Sequence, residues 1–143
     1  MRLIFLLLLI TIPMTVLSNH KTSESESELF VVLTSADEET QMMAMVLATQ
    51  SANQDVQVRV LLCSDAGYLA VEGEESRTFE PAGRSPKDLL NGLIQNGVTV
   101  EVCGIFLPNR DLTEEHLIDG ITAASPPDVA AYMKKSGLKL FTF

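Results

Sequence analysis

Past residue 28 the hydrophobic positions fall into short runs separated by segments of helical periodicity. Residues 29–33 (LFVVL) are apolar without a break, the pattern of a strand covered on both faces of a parallel sheet. Ser35, Ala36, Asp37 and Glu38 follow as an S-x-x-E capping box, in which the Ser35 hydroxyl accepts from the Glu38 N–H and the Glu38 side chain reaches back. A helix is expected from there to about residue 54. Its apolar stretch 42–48 is too broad for a one-sided stripe, which implies contact with a neighbouring subunit as well as with the sheet. Residues 56–63 (VQVRVLLC) alternate and then turn wholly apolar, a second strand that ends at Cys63. A short helical turn is expected over 64–70.

Residues 72–84 carry Gly73, Pro81, Gly83 and four acids with little periodicity, a loop of the length usually kept for lids or subunit contacts. Ser85 caps the next helix with Pro86 at its first position, Leu89, Leu90, Leu93 and Ile94 supply its buried face, and Gly97 ends it in a left-handed C-cap. Residues 98–102 (VTVEV) form a third strand that delivers Cys103 and Gly104 at its carboxyl end. Thr113 is expected to cap a helix through Asp119, residues 121–124 a short strand, and Ser125 with Pro126 a further helix that stops at Gly137. Residues 138–143 (LKLFTF) close the series. Five strands interleaved with four helices predict a single α/β domain over 29–143, a doubly wound, mostly parallel five-stranded sheet with helices on both faces. The expected strand order is 2-1-3-4-5.

Upstream, Arg2 is followed by an apolar run over 3–17 that ends in small residues, with Val16 and Ser18 suited to signal peptidase. Residues 1–18 are therefore expected to be a cleaved signal peptide and the protein to be exported, periplasmic or secreted. The run of 15 residues is shorter than the roughly 20 needed to span a bilayer as a helix, so no stable membrane insertion is expected after cleavage. Ser18 and Asn19 stand at the cut, which leaves no cysteine for lipid attachment. Residues 19–28, including the repetitive HKTSESESE, read as a polar linker. The remaining 143 − 18 = 125 residues suffice for one core without disulfides or metals.

Charge narrows the partners. The chain is formally −9, or −10 without Arg2, and so negative a surface repels phosphate backbones and anionic headgroups. No nucleic acid partner is expected. Two cysteines in an exported chain raise the question of a disulfide. With strand one between strands two and three, two strand spacings of about 9–10 Å would separate Cys63 from Cys103, beyond the ~7 Å Cα limit for a disulfide. Two free thiols are predicted on that order, together with a ligand crevice where Thr34, Ser35, Cys63 and Cys103 face the carboxyl edge of the sheet.

Around Cys103 the residues also carry a resemblance. Cys103, Gly104, Phe106 and Arg110, in the run VCGIFLPNR, resemble the C-G-x-C-x-x-x-R strand-end motif of the DsrE/DsrF-like family, and the flanking segments Asn96-Gly97-Val98 and 114–121 (EEHLIDGI) resemble those of the family as well. The second cysteine of that motif falls on Phe106, so a dithiol inside this loop is not available. The resemblance implies a persulfide-carrying role for Cys103, a sulfur donor or acceptor protein as partner, and assembly into a homotrimer or homohexamer. The thiolate chemistry suits this, since only a thiolate attacks a donor sulfur. Gly104 would let a partner's backbone approach closely, and Arg110, if its loop folds back, would favour the thiolate. Ser35 is a supporting residue and Cys63 a second thiol.

Plainer roles compete at several of these positions. A cysteine after an apolar strand often serves as a small buried hydrophobe, and Cys63 matches no motif. His116, three residues after Thr113, suits a surface position at a helix start, and His20 lies in the linker. Neither spacing makes a metal site, and no cofactor is expected. Capping and dipole compensation account for Asp37, Glu38 and Glu39. There is no phosphate loop or nucleophile elbow. Two functions follow: a thiol-based sulfur carrier acting through Cys103, and a non-catalytic oligomeric binding module for a small molecule or protein.

Overall fold

The computed structural model describes residues 27–143; the expected signal segment and most of the linker, with His20, lie outside them. The chain runs β1 (Glu28–Leu33), α1 (Glu38–Ala52), β2 (Gln57–Leu62), a 3-10 helix (Ser64–Ala70), α2 (Pro86–Gln95), β3 (Thr99–Cys103), β4 (Thr122–Ala124), α3 (Pro126–Tyr132) and β5 (Leu138–Thr142). The five strands make one sheet, and every pairing is parallel.

Their order is β4-β3-β2-β1-β5, which corrects the expected 2-1-3-4-5. From β1 to β4 each strand is laid beside the one before it, so β2 separates β1 from β3. Right-handed crossovers that step in one direction fall on one face of a sheet, and the core reflects this. Leu29, Val31 and Leu33 of β1, Val58, Val60 and Leu62 of β2, and Val100 and Val102 of β3 pack with Ala44, Met45 and Ala48 of α1 and Leu90 and Leu93 of α2. The opposite face is covered by α3, where Val129 and Tyr132 pack against a small cluster of Phe30, Leu61 and Ala124. That return path places β5 beside β1. Nothing in the local periodicity of the strands encodes this order, because it depends on which neighbour each crossover reaches.

Local chemistry sets most element ends. At α2 the Ser85 hydroxyl accepts from the Asp88 N–H (3.1 Å), the Asp88 carboxylate accepts from the Ser85 N–H (2.8 Å), Pro86 follows, and Gly97 adopts φ 79° beyond the last turn. The start of α1 differs from the expected box. Asp37 is its N-cap, accepting from both the N–H and the hydroxyl of Thr40 at 2.8 Å. Glu38 instead turns outward to accept from the Arg77 N–H (2.8 Å), and so ties the 72–84 loop to the helix start. The helix expected from Thr113 is only a 3-10 turn, Glu114–His116. The His116 Nδ1 takes the Thr113 N–H at 3.1 Å, and Leu117 leaves the turn to bridge Val71. Gly120 (φ 91°) then ends any helical path before β4. Three α-helices therefore stand where four were expected.

Candidate functional site

β2 and β3 pair in register, Leu61 with Glu101 and Leu62 with Val102. The next positions are Cys63 and Cys103, so the two cysteines are direct neighbours across adjacent parallel strands, one spacing of about 4.8 Å apart. The two-spacing separation expected from the sequence is thereby corrected, although both thiols are free in the structure. Cys63 packs on the α3 face against the Phe30, Leu61 and Ala124 cluster, whereas Cys103, at the end of its strand, packs against the larger core cluster. On the far side Cys103 pairs with Ala124 of β4. Both are half-buried.

The backbone fixes the pair. The Cys63 N–H donates to the Leu33 carbonyl (2.8 Å), and the Cys103 carbonyl accepts from the Phe106 N–H (2.7 Å) in the turn that follows β3. The side chains hydrogen bond with each other, and burial, with the adjacent Cys103 sulfur adding to it, pushes the Cys63 thiol from 9.0 up to about 12. Cys63 therefore keeps its proton at physiological pH, and attack on an external sulfur falls to Cys103.

Gly104 is required by the chain's own backbone. A Cβ there would lie 2.6 Å from the Ala124 carbonyl oxygen of β4, so the close approach read from the sequence is made within the subunit. Phe106, at the position of the motif's second cysteine, is a buried wedge with 1% of its surface exposed. Its ring lies where any side chain at Gly67 would stand, and Tyr68 meets it edge-on with centroids 5.4 Å apart. Arg110 does fold back. Its guanidinium pairs with Asp65 (3.0 Å) and lies 4.4 Å from the Phe106 ring centroid and 5.3 Å from that of Tyr68. The arginine thus locks the loop after β3 onto the Ser64–Ala70 helix after β2, the two segments that carry the cysteines.

Ser35 stands apart from the thiols in its contacts. Its hydroxyl accepts from the Asp37 N–H (3.1 Å), and its carbonyl accepts from the Gln41 side chain (2.9 Å). His116 is bound to Thr113 by its Nδ1. Among the described residues no group of three or more His, Cys, Asp or Glu side chains could hold a metal ion. A cleft of about 540 Å³ opens beside the site, lined by Ala36, Glu38, Gln41, Asp65, Tyr68 and the acidic Glu74 and Glu75 with Leu69.

Sequence reasoning missed the cysteine pair because it misplaced β2. A signal was present: Arg59 and Glu101 are the charged residues of β2 and β3 and share the parity of the cysteines. In the structure they form an ion pair of 2.7 Å with only 14% and 13% of their side chains exposed. Two opposite charges that must be satisfied on one sheet face argue for neighbouring strands.

The sequence profile of the DsrE/DsrF-like family matches residues 27–143. Among curated relatives, the uncharacterized protein MJ0760 of Methanocaldococcus jannaschii is 25% identical over 114 residues, 78% of this chain and 42% of that protein. MJ0989 of the same organism is 30% identical over 93 residues, 65% of this chain and 78% of that protein. MK0008 of Methanopyrus kandleri is 25% identical over 122 residues, 84% and 98% of the two chains. The chain spans less than half the length of MJ0760. Of solved structures, the YchN protein of E. coli superposes with a TM-score of 0.69 at 21% identity, covering 82% of this chain and 99% of its own. MTH1491 of Methanobacterium thermoautotrophicum follows at 0.61 and 14%, with 82% and 99% covered. These similarities establish a shared fold, and with the profile match spanning all of the described residues, the chain belongs to the DsrE/DsrF-like family.

Proposed function

We propose that the protein is a thiol-based sulfur carrier of the DsrE/DsrF-like family, exported after loss of residues 1–18, with Cys103 as the acceptor of sulfane sulfur. The observation that carries the reading is the position of Cys103. It closes β3 at the carboxyl edge of the sheet, half-exposed, with the Gly104 turn ahead of it and a protonated Cys63 at its side. Loading exchanges one sulfur: the Cys103 thiolate attacks the outer sulfur of a persulfide donor, the donor leaves as a thiol, and Cys103 becomes a persulfide. A donor or acceptor protein would dock at the same edge.

Intact mass measurement with peptide mapping, before and after incubation with a persulfide donor, tests the assignment. The expected result is one added sulfur on Cys103 in Cys63→Ser, removed by reductant, and no added sulfur in Cys103→Ser. A Cys103 that takes up no sulfur even when Cys63 is replaced would end the carrier reading.

The cleft of about 540 Å³ favours a second reading, a binding module. Glu38, Asp65, Glu74 and Glu75 line it, which suits a cationic or amine-bearing small molecule. On this reading Cys103→Ser leaves binding and assembly intact.

A further inference from the structure

Cys63 takes no part in loading Cys103, yet its placement is specific. The register that ends with Leu62 opposite Val102 continues to Cys63 opposite Cys103, at a spacing inside the roughly 4.4–6.8 Å Cα window of a disulfide. The two side chains hydrogen bond with each other, and both lie at strand ends, where a turn rather than a ladder follows. The β2–β3 register sets their spacing, and the Arg110–Asp65 ion pair links the two segments that follow.

We propose that Cys63 is the resolving partner of Cys103: sulfur bound on Cys103 leaves as sulfide while the two cysteines close into a disulfide. The inference rests on the carrier reading for its donor, and on the strand register for the pairing. The step balances without another reactant. The Cys63 sulfur attacks the inner sulfur of the Cys103 persulfide, the bond between the two sulfurs of the persulfide breaks, and the outer sulfur departs as hydrosulfide. The Cys63 proton goes to that leaving sulfide, giving hydrogen sulfide. Two electrons pass from the two cysteine sulfurs to the sulfane sulfur, and a thiol reductant later resets the dithiol. Burial, the largest cause of its raised pKa, keeps Cys63 protonated and silent toward external electrophiles, which confines its reaction to the sulfur of the neighbouring Cys103.

The test treats the full chain, as wild type, Cys63→Ser and Cys103→Ser, with glutathione persulfide, and follows released sulfide alongside intact mass and mapped peptides. Wild type is expected to release one sulfide per chain, lose two hydrogens and yield a linked Cys63–Cys103 peptide. Cys63→Ser is expected to keep the added sulfur on Cys103 and release none by this route. A wild type that retains sulfur on Cys103 with no linked peptide overturns the resolving role and leaves the carrier reading standing. A Cys63→Ser chain, folded by circular dichroism, that gains no sulfur overturns both. Should Cys63→Ser fail to fold, Cys63→Ala serves in its place. Equilibration of wild type against reduced and oxidised dithiothreitol adds a donor-free measurement, and a Cys63–Cys103 link that never forms there also overturns the proposal.

Discussion

At the scale of single residues, the site is a contrast between two thiols of the same sheet edge. Burial and the neighbouring sulfur hold Cys63 at about 12 against an ordinary 9.0. A thiol-specific alkylating agent near neutral pH is therefore expected to modify Cys103 first and Cys63 only slowly; equal rates measured by peptide mapping would contradict the contrast. The same shift links to stability. Its contribution is complete below pH 9.0 and falls as pH rises toward 12, because the unfolded chain releases the Cys63 proton first. Urea midpoints compared below and above pH 9.0 should drop more steeply for wild type than for Cys63→Ser. Of this site, the place of Cys103 at a strand end was legible in the sequence as a local feature, but the contacts of Gly104 with Ala124 and of Arg110 with Asp65 were not, because they join segments far apart in the chain. Phe106 was legible only as the loss of a cysteine. Its role as a wedge between Gly67, Tyr68 and Arg110 depends on the segment after β2, more than 30 residues earlier in the chain.

At the scale of elements, what could be read was what short-range chemistry decides. Ser85, Pro86 and Gly97 bound α2 where the pattern put them, and Asp88 completes the capping box with bonds made inside a few residues. Ser85→Ala should cost about 1 kcal/mol in chemical denaturation, since it leaves an N–H of the first turn without its acceptor. The start of α1 was misread by two residues because Asp37 outcompetes Ser35 for the first-turn donors. Asp37→Ala should accordingly destabilise the fold more than Ser35→Ala; the reverse order in denaturant midpoints would restore the Ser35 cap. The strand order lay beyond local pattern. A crossover helix such as α1 shows that two parallel strands are joined, not which side the next one takes. Arg59 and Glu101, each costly to bury alone, were the residues from which the β2–β3 contact could have been argued.

At the scale of the whole molecule, the two faces of the sheet are unequally covered. α1 and α2 lie on one, the short α3 on the other, and α1 shows Met43, Val46 and Leu47 at 51%, 37% and 41% exposure on its outer side. That row is the reason to expect self-association. Sedimentation of the mature chain should give a species larger than one subunit, and Val46→Glu should shift it toward the monomer, whereas a wild-type monomer at micromolar concentration would remove the expectation. The pairing of Cys63 with Cys103 has a further consequence for the chain as a polymer. The stretch between them, residues 64–102, contains the acidic loop and α2. Closing it would remove conformational freedom from the unfolded ensemble worth about 4 kcal/mol on the chain-entropy view. Oxidation would then convert a chemical event at one sheet edge into resistance to unfolding and proteolysis, and the protein's lifetime would depend on the redox state of its surroundings.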